Sequence, residues 1–186
     1  MISDFSIKFR INEFHIKELN KLHSGIELDN DPFIDGFFEL KIGNYKSGYI
    51  LDKNIPSDVI GSDNILNWFE LMIKSYQLLK DNNSVFMNIP ESYNQYIKYE
   101  WSSDSIKITI LTSENKKIQN SVDIKNFGEK SVEQQTITIN KNEFYEILKI
   151  AYIHFKDTIL ANNNLLNDSK ILNTCSEILG IDTRSR

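Results

Sequence analysis

The hydrophobic positions change period several times along the chain, and each change predicts an element. Residues Asp4–Asn12 alternate: Phe5, Ile7, Phe9 and Ile11 point one way, while Ser6, Lys8, Arg10 and Asn12 point the other. That is the signature of a half-buried strand. Glu13–Leu22 is compatible with a short helix that turns Phe14, Leu19 and Leu22 inward, and Ser24–Pro32 reads as loop. Phe37–Ile42 and Tyr45–Leu51 read as two strands of a hairpin. Gly43-Asn44 lies between them, and both residues tolerate φ > 0. Gly48 marks a bulge or a weak point in the second strand.

Asp63–Lys80 has helical spacing, with Ile65, Phe69, Met72, Ile73 and Tyr76 on one stripe. Ser62 or Asp63 stands where a cap is needed. Val85–Ile89, Tyr93–Trp101 and Ile106–Thr112 then read as strands, the last two joined by the four-residue loop S-S-D-S. Gln95, Ile97, Tyr99 and Trp101 share one face of their strand. Tyr96, Lys98 and Glu100 share the other, which leaves Tyr96 exposed if the first face is core. Lys117–Ile124 and Val132–Ile139 complete the strands. Asn140–Ala161 is a second long helix, opened by an N-x-x-E capping pattern at Asn140 and Glu143. Phe144, Ile147, Leu148, Ala151, Tyr152, Phe155 and Ile159 form its apolar stripe. A last helix, about Asp168–Leu179, buries Leu172, Cys175 and Leu179 and stops at Gly180.

Strand runs separated by a few helices, without strict βαβ alternation, predict an α+β fold. The expected architecture is a mostly antiparallel sheet of about six to eight strands packed against two long helices, with a shorter C-terminal helix. No repeat and no linker divides the chain. A single domain over 1–182 is expected, followed by a frayed tail over 183–186.

Composition narrows the class. The chain has 186 residues, 40% of them apolar and 25% charged, as in an ordinary globular protein. Ile and Asn are common, as codon bias makes them in AT-rich bacterial genomes. One cysteine, Cys175, excludes an internal disulfide and a cysteine-rich zinc site. The start M-I-S-D-F-S-I-K-F-R lacks the pattern of a signal peptide, and no run approaches the ~18 apolar residues of a membrane helix. A cytoplasmic protein is expected, with no membrane partner.

Charge is uneven. Residues 1–100 carry 15 acids and 10 bases, a net of −5, whereas 101–186 carry 11 of each. Within 27–70, nine acids face three lysines, a net of −6. Such a field repels nucleic acid and attracts basic partners.

The densest acidic stretch is E-L-D-N-D-P-F-I-D-G, residues 27–36, with Glu27, Asp29, Asp31 and Asp35. A calcium loop of the EF-hand type counted from Asp29 fits at Asp31. It then meets Phe33, Ile34 and Leu40 where an oxygen ligand, Gly and Glu are required. Pro32 moreover holds Asp31 extended. Paired-carboxylate catalysis would need one buried acid, which the local pattern does not predict. The histidines His15, His23 and His154 show no metal spacing, and no nucleophile elbow or glycine-rich phosphate loop occurs. No cofactor is expected and no catalytic residue can be named. Aromatic residues crowd Tyr93–Trp101, but only Lys98 accompanies them, too little basic charge for a single-strand binding groove.

Two segments carry a resemblance. I-P-S-D-V-I-G-S-D-N-I-L-N-W-F-E-L-M is a break feeding a helix, and T-I-T-I-N-K-N-E-F-Y-E-I-L-K-I-A-Y is a strand running into a helix. In these, and in its acidic, motif-free α+β character, the chain resembles bacterial immunity proteins that neutralise polymorphic or contact-dependent toxins. The resemblance implies a non-catalytic protein that binds a cognate toxin, with a basic nuclease the natural match for an acidic surface. The residues expected at such an interface are Glu27, Asp29, Asp31 and Asp35 for charge, and Phe33, Tyr45, Tyr49 and Tyr96 as aromatic anchors. The alternatives are a metal-binding or enzymatic site around 27–35, with His23 beside it, and an interaction module for a host protein.

Overall fold

The computed structural model describes residues 4–48, 50, 63–90, 92–114, 122–126 and 130–182. In chain order the described elements are β1 (Phe5–Ile11), α1 (Glu13–Leu19), α2 (Gly25–Asn30), β2 (Asp35–Ile42), β3 (Tyr45–Gly48), β4 (Asp63–Asn64) and α3 (Ile65–Leu79). They continue with β5 (Ser84–Asn88), β6 (Gln95–Ser102), β7 (Ser105–Thr112), β8 (Val122–Asp123), β9 (Val132–Asn140) and α4 (Lys141–Asn162). A 3-10 turn (Asn164–Asp168) and α5 (Lys170–Ile178) are the last of the described elements. The fold is α+β, as expected. In place of one sheet of six to eight strands there are two. A four-stranded sheet has the order β1-β2-β3 with β4 also on β2, and a five-stranded sheet has the order β8-β5-β6-β7-β9.

The chain groups into two compact units. One comprises Met1–Ile7, Leu40–Ser47 and Leu71–Leu148; the other comprises Lys8–Glu39, Gly48–Glu70 and Lys149–Arg186.

The first unit holds the whole five-stranded sheet, antiparallel throughout. Trp101 pairs with Ile106 and Ser102 with Ser105. The β6–β7 turn is therefore the two residues Ser103-Asp104, not the four of S-S-D-S. Lys141 closes it: its Nζ donates to the Ser103 carbonyl and lies 3.8 Å from the centroid of the Trp101 ring. Ile97, Tyr99, Ile108 and Ile110 form one apolar face, as their alternation predicts. Phe144 packs there, 5.8 Å from Tyr99 and 5.1 Å from Phe5 by ring centroids. Along β9, Ile110 opposes Gln135 while Leu111 opposes Glu133, so Gln134 is the extra residue of a bulge. At the β2–β3 turn only Gly43 takes a positive φ, of 60°.

The expectation that Tyr96 is exposed is overturned. Tyr96 is fully buried in a second small cluster with Phe86 and Leu111. Its hydroxyl bonds Asn126 Oδ1 at 2.8 Å and also Ser131. Alternation tells which face a side chain takes. It does not tell that the second face has its own cover. Farther along that face Glu100 pairs with Lys98 at 2.7 Å and Lys107 at 3.6 Å, the polar end of the same surface.

The core of the second unit is a set of rings centred on Phe69. Its neighbours are Phe9, Phe38, Tyr152 and Phe155, at centroid distances of 4.8–5.8 Å. Trp68 stacks on Phe38 at 4.6 Å and 11°. The predicted helix start at Asp63 is displaced. Asp63-Asn64 form a strand that pairs with Gly36 and Asp35. The cap of α3 is Asn64, whose Oδ1 accepts from Asn67 N–H at 3.3 Å. Ser62 lies outside the described residues, as do Tyr49, Leu51 and most of Lys117–Ile124. The predicted cap of α4 is present: Asn140 Oδ1 accepts from the N–H groups of Asn142 and Glu143. Gly180 ends α5 with φ of 59°.

Candidate functional site

The segment read as a loop over Ser24–Pro32 contains a six-residue helix, α2. This single change redistributes the acidic side chains. Helical geometry turns Leu28 inward, where it is 1% exposed, and sends Asp29 toward the start of α5. There Asp29 accepts hydrogen bonds from the Ser169 hydroxyl at 2.6 Å, Lys170 N–H at 2.8 Å and Ile171 N–H at 3.1 Å. Burial alone would raise the Asp29 pKa, but these three donors outweigh it and hold the carboxyl below its ordinary value. Gly25, at the start of α2, gives its N–H to Asp168 Oδ1 at 2.6 Å. No side chain fits at Gly25, since a Cβ would lie 2.1 Å from the Ser169 nitrogen.

Asp35 is diverted as well. It starts β2 and accepts from Asn12 Nδ2 at 3.1 Å. Burial raises its pKa, with the nearby His15 and the Asn12 hydrogen bond acting the other way. Glu27 turns back to accept the His23 N–H at 3.1 Å. Of the four acids, Asp29 and Asp35 are thus occupied in holding the fold. Asp31 is the exception: among the described residues its carboxylate accepts no hydrogen bond. Nor, among the described residues, does any group of three His, Cys, Asp or Glu side chains stand ready for a metal ion.

Glu27, Asp31 and Phe33 do come together. They line a notch of about 190 Å³ with His15, Glu18 and Lys21, floored by Leu19, Leu22 and Leu28. α1 contributes one wall and the α2–β2 segment the other. The far wall is pinned by Asn64, which accepts the Ile34 N–H at 3.2 Å and donates to the Pro32 carbonyl at 3.1 Å. Asn163 supports the near wall by donating to the carbonyls of Leu19 and Leu22, both at 2.8 Å. Phe33 is 45% exposed and meets the His15 ring edge-on at 5.9 Å. Burial lowers the His15 pKa. The charge of Asp35 and a hydrogen bond to the Phe33 backbone only partly restore it. Among the described residues the buried His15 Nε2 has no hydrogen-bond partner, so this ring sits best as the neutral form.

At the mouth, three carboxylates (Glu18, Glu27, Asp31) face one ammonium (Lys21), which leaves two net negative charges. Lys21 already pairs with Glu18 at 2.6 Å. Two further exposed apolar residues, Phe14 at 53% and Ile26 at 62%, arise from the same helices that form the walls. Phe14 was expected inward together with Leu19 and Leu22; Leu19 is buried as expected, whereas Phe14 faces out.

The other expected anchors do not join this site. Tyr45 belongs to the other unit, where it is half-buried and donates to Gln95 Oε1 at 2.8 Å. Tyr96 is core. Tyr49 lies outside the described residues. Sequence reading missed His15 and Glu18. Their signal was present: His15, Glu18, Leu19 and Leu22 follow the i, i+3, i+4, i+7 spacing of one helical face. Among the described residues no helix is long and apolar enough to cross a membrane. Compared with protein families, with curated proteins and with solved structures, the chain finds no match.

Proposed function

We propose that this chain is a non-catalytic binding protein of the immunity type, which neutralises a cognate basic toxin in the bacterial cytoplasm by direct contact. The observation that carries the reading is the notch lined by Glu27, Asp31 and Phe33, a small apolar recess with acids at its mouth and an exposed ring on its wall. Exposed aromatic side chains set in an apolar patch are the usual anchors of protein recognition. Carboxylates around such a patch speed encounter with a basic surface and reject acidic ones. Two of those carboxylates are held in place, Glu18 by Lys21 and Glu27 by the His23 N–H, so the mouth is preorganised before any partner arrives.

The test is genetic and biochemical together. The chain is tagged, purified from its host under native salt, and the co-purifying proteins are identified. The expected partner is basic, stoichiometric and toxic when expressed alone, with growth restored by co-expression of this chain. Growth that stays arrested in the presence of the chain would overturn the reading.

A further inference from the structure

We infer that the notch between α1 and the α2–β2 segment receives an arginine side chain presented by a protein partner. The inference takes its partner from the binding reading above and names the group that is recognised. Three features select that group. Leu19, Leu22 and Leu28 give the recess an apolar floor for the methylene stem. Phe33, 45% exposed and held edge-on against His15, supplies a ring face on which a planar guanidinium stacks. Asp31 supplies a carboxylate that, among the described residues, no hydrogen bond engages, and a guanidinium fork can bond it with two N–H groups.

The size is consistent, since about 190 Å³ holds one long side chain and no folded segment. The charge is also consistent. Lys21, the one ammonium at the mouth, is taken up by Glu18, which leaves Glu27 and Asp31 to face the incoming cation. His15 adds no opposing charge near neutral pH, because burial keeps its pKa below the ordinary value. Lysine suits the recess less well. Its ammonium is a point charge with no face to lay against Phe33.

The experiment uses the full chain and the tripeptide acetyl-Gly-Arg-Gly-amide, with the citrulline peptide of the same shape as its uncharged control. Binding is followed by backbone amide and histidine-ring NMR signals. The expected result is a saturable shift of the Phe33 amide and the His15 ring with the arginine peptide and none with citrulline. Asp31→Asn and Phe33→Ala are each expected to weaken binding by about tenfold. Both residues are solvent-facing, and an unchanged thermal midpoint confirms that each variant folds. Equal shifts with the citrulline peptide, shifts confined to another surface, or no saturable shift at all would overturn the inference. The two readings fail separately. Toxin rescue that survives Asp31→Asn, together with no peptide binding, leaves the immunity reading standing and removes the notch from it. Saturable arginine binding without any rescued toxin does the reverse.

Discussion

Asp29 and Asp168 make reciprocal contacts between α2 and the junction where the 3-10 turn, which ends at Asp168, leads into α5. Asp168 accepts the N–H of Gly25 at the start of α2, and Asp29, within α2, accepts the N–H groups of Lys170 and Ile171 at the start of α5. Two helices of six and nine residues would each be marginal alone. Asp168 from the 3-10 turn satisfies an N-terminal donor of α2, and Asp29 from α2 satisfies two of α5. The consequence for function is positional: Glu27 and Asp31 belong to the same short stretch as Asp29, so this clamp sets one wall of the notch.

Replacing Asp29 with alanine removes the acceptor of the Lys170 and Ile171 N–H groups and leaves α5 with Ser169, whose hydroxyl accepts from Leu172 N–H at 3.3 Å, as its remaining cap. The expected cost is about 1–2 kcal/mol of unfolding free energy, read from urea denaturation. Asp29→Asn is expected to lose less, since an amide oxygen still accepts. The pH dependence has a definite sign. The folded-state pKa lies below the ordinary 3.8, so the stabilisation is present above that value and is lost as pH falls through the folded pKa. An alanine variant as stable as the parent at neutral pH would show that the clamp contributes nothing.

His15 behaves in the opposite sense. Its folded pKa lies below 6.5, so the unfolded chain binds a proton more readily than the folded chain does. Stability is therefore expected to fall as pH drops below 6.5 toward the folded pKa, and His15→Gln is expected to flatten that slope. Titration of the His15 ring signals checks the cause directly. A midpoint at or above 6.5 would contradict the account.

Phe69→Ala is expected to cost about 3–5 kcal/mol, because it opens a cavity among four other rings. Phe69→Leu keeps much of the volume and should cost clearly less. Equal losses for the two variants would mean that ring packing is not the source of the stability.

The Cys175 thiol is expected to be inert in the native state. It is buried, and burial, helped by the charge of Glu70, pushes its pKa up to about 12. The unfolded thiol ionises near 9.0, so the group's contribution is complete below that pH and is lost as pH rises toward 12. Alkylation by iodoacetamide at mildly alkaline pH should proceed only through opening, with a rate that climbs with urea. Native labelling as fast as that of free cysteine would place Cys175 at the surface.

How much of this was legible in advance depends on the range over which each feature is decided. β1, β6, β7 and α4 could be read because alternation and the 3.6-residue stripe are local, repeated many times, and imposed by the backbone itself. The Asn140 cap was legible for the same reason, as its donors lie two and three residues away. α2 was missed because six residues are too few to display a period. The cap of α3 was misplaced because β4 takes up Asp63 and Asn64 themselves, pairing them with Gly36 and Asp35 of a strand some thirty residues earlier.

By itself the sequence determined the α+β class and most strands, together with an acidic field around residues 27–35. It could not assign tasks to the acids. The donors that occupy Asp29 lie 140 residues and more away along the chain, and the hydrogen bonds that fix the wall of Phe33 run to Asn64, which accepts from Ile34 N–H and donates to the Pro32 carbonyl. Only tertiary structure decided that Asp29 and Asp35 hold the fold, that Tyr96 is core, and that Glu27, Asp31 and Phe33 share a recess with His15 and Glu18. The physical reason is that a carboxylate's role follows from the donors and solvent around it. Those neighbours are brought in by packing between segments, which no local period encodes.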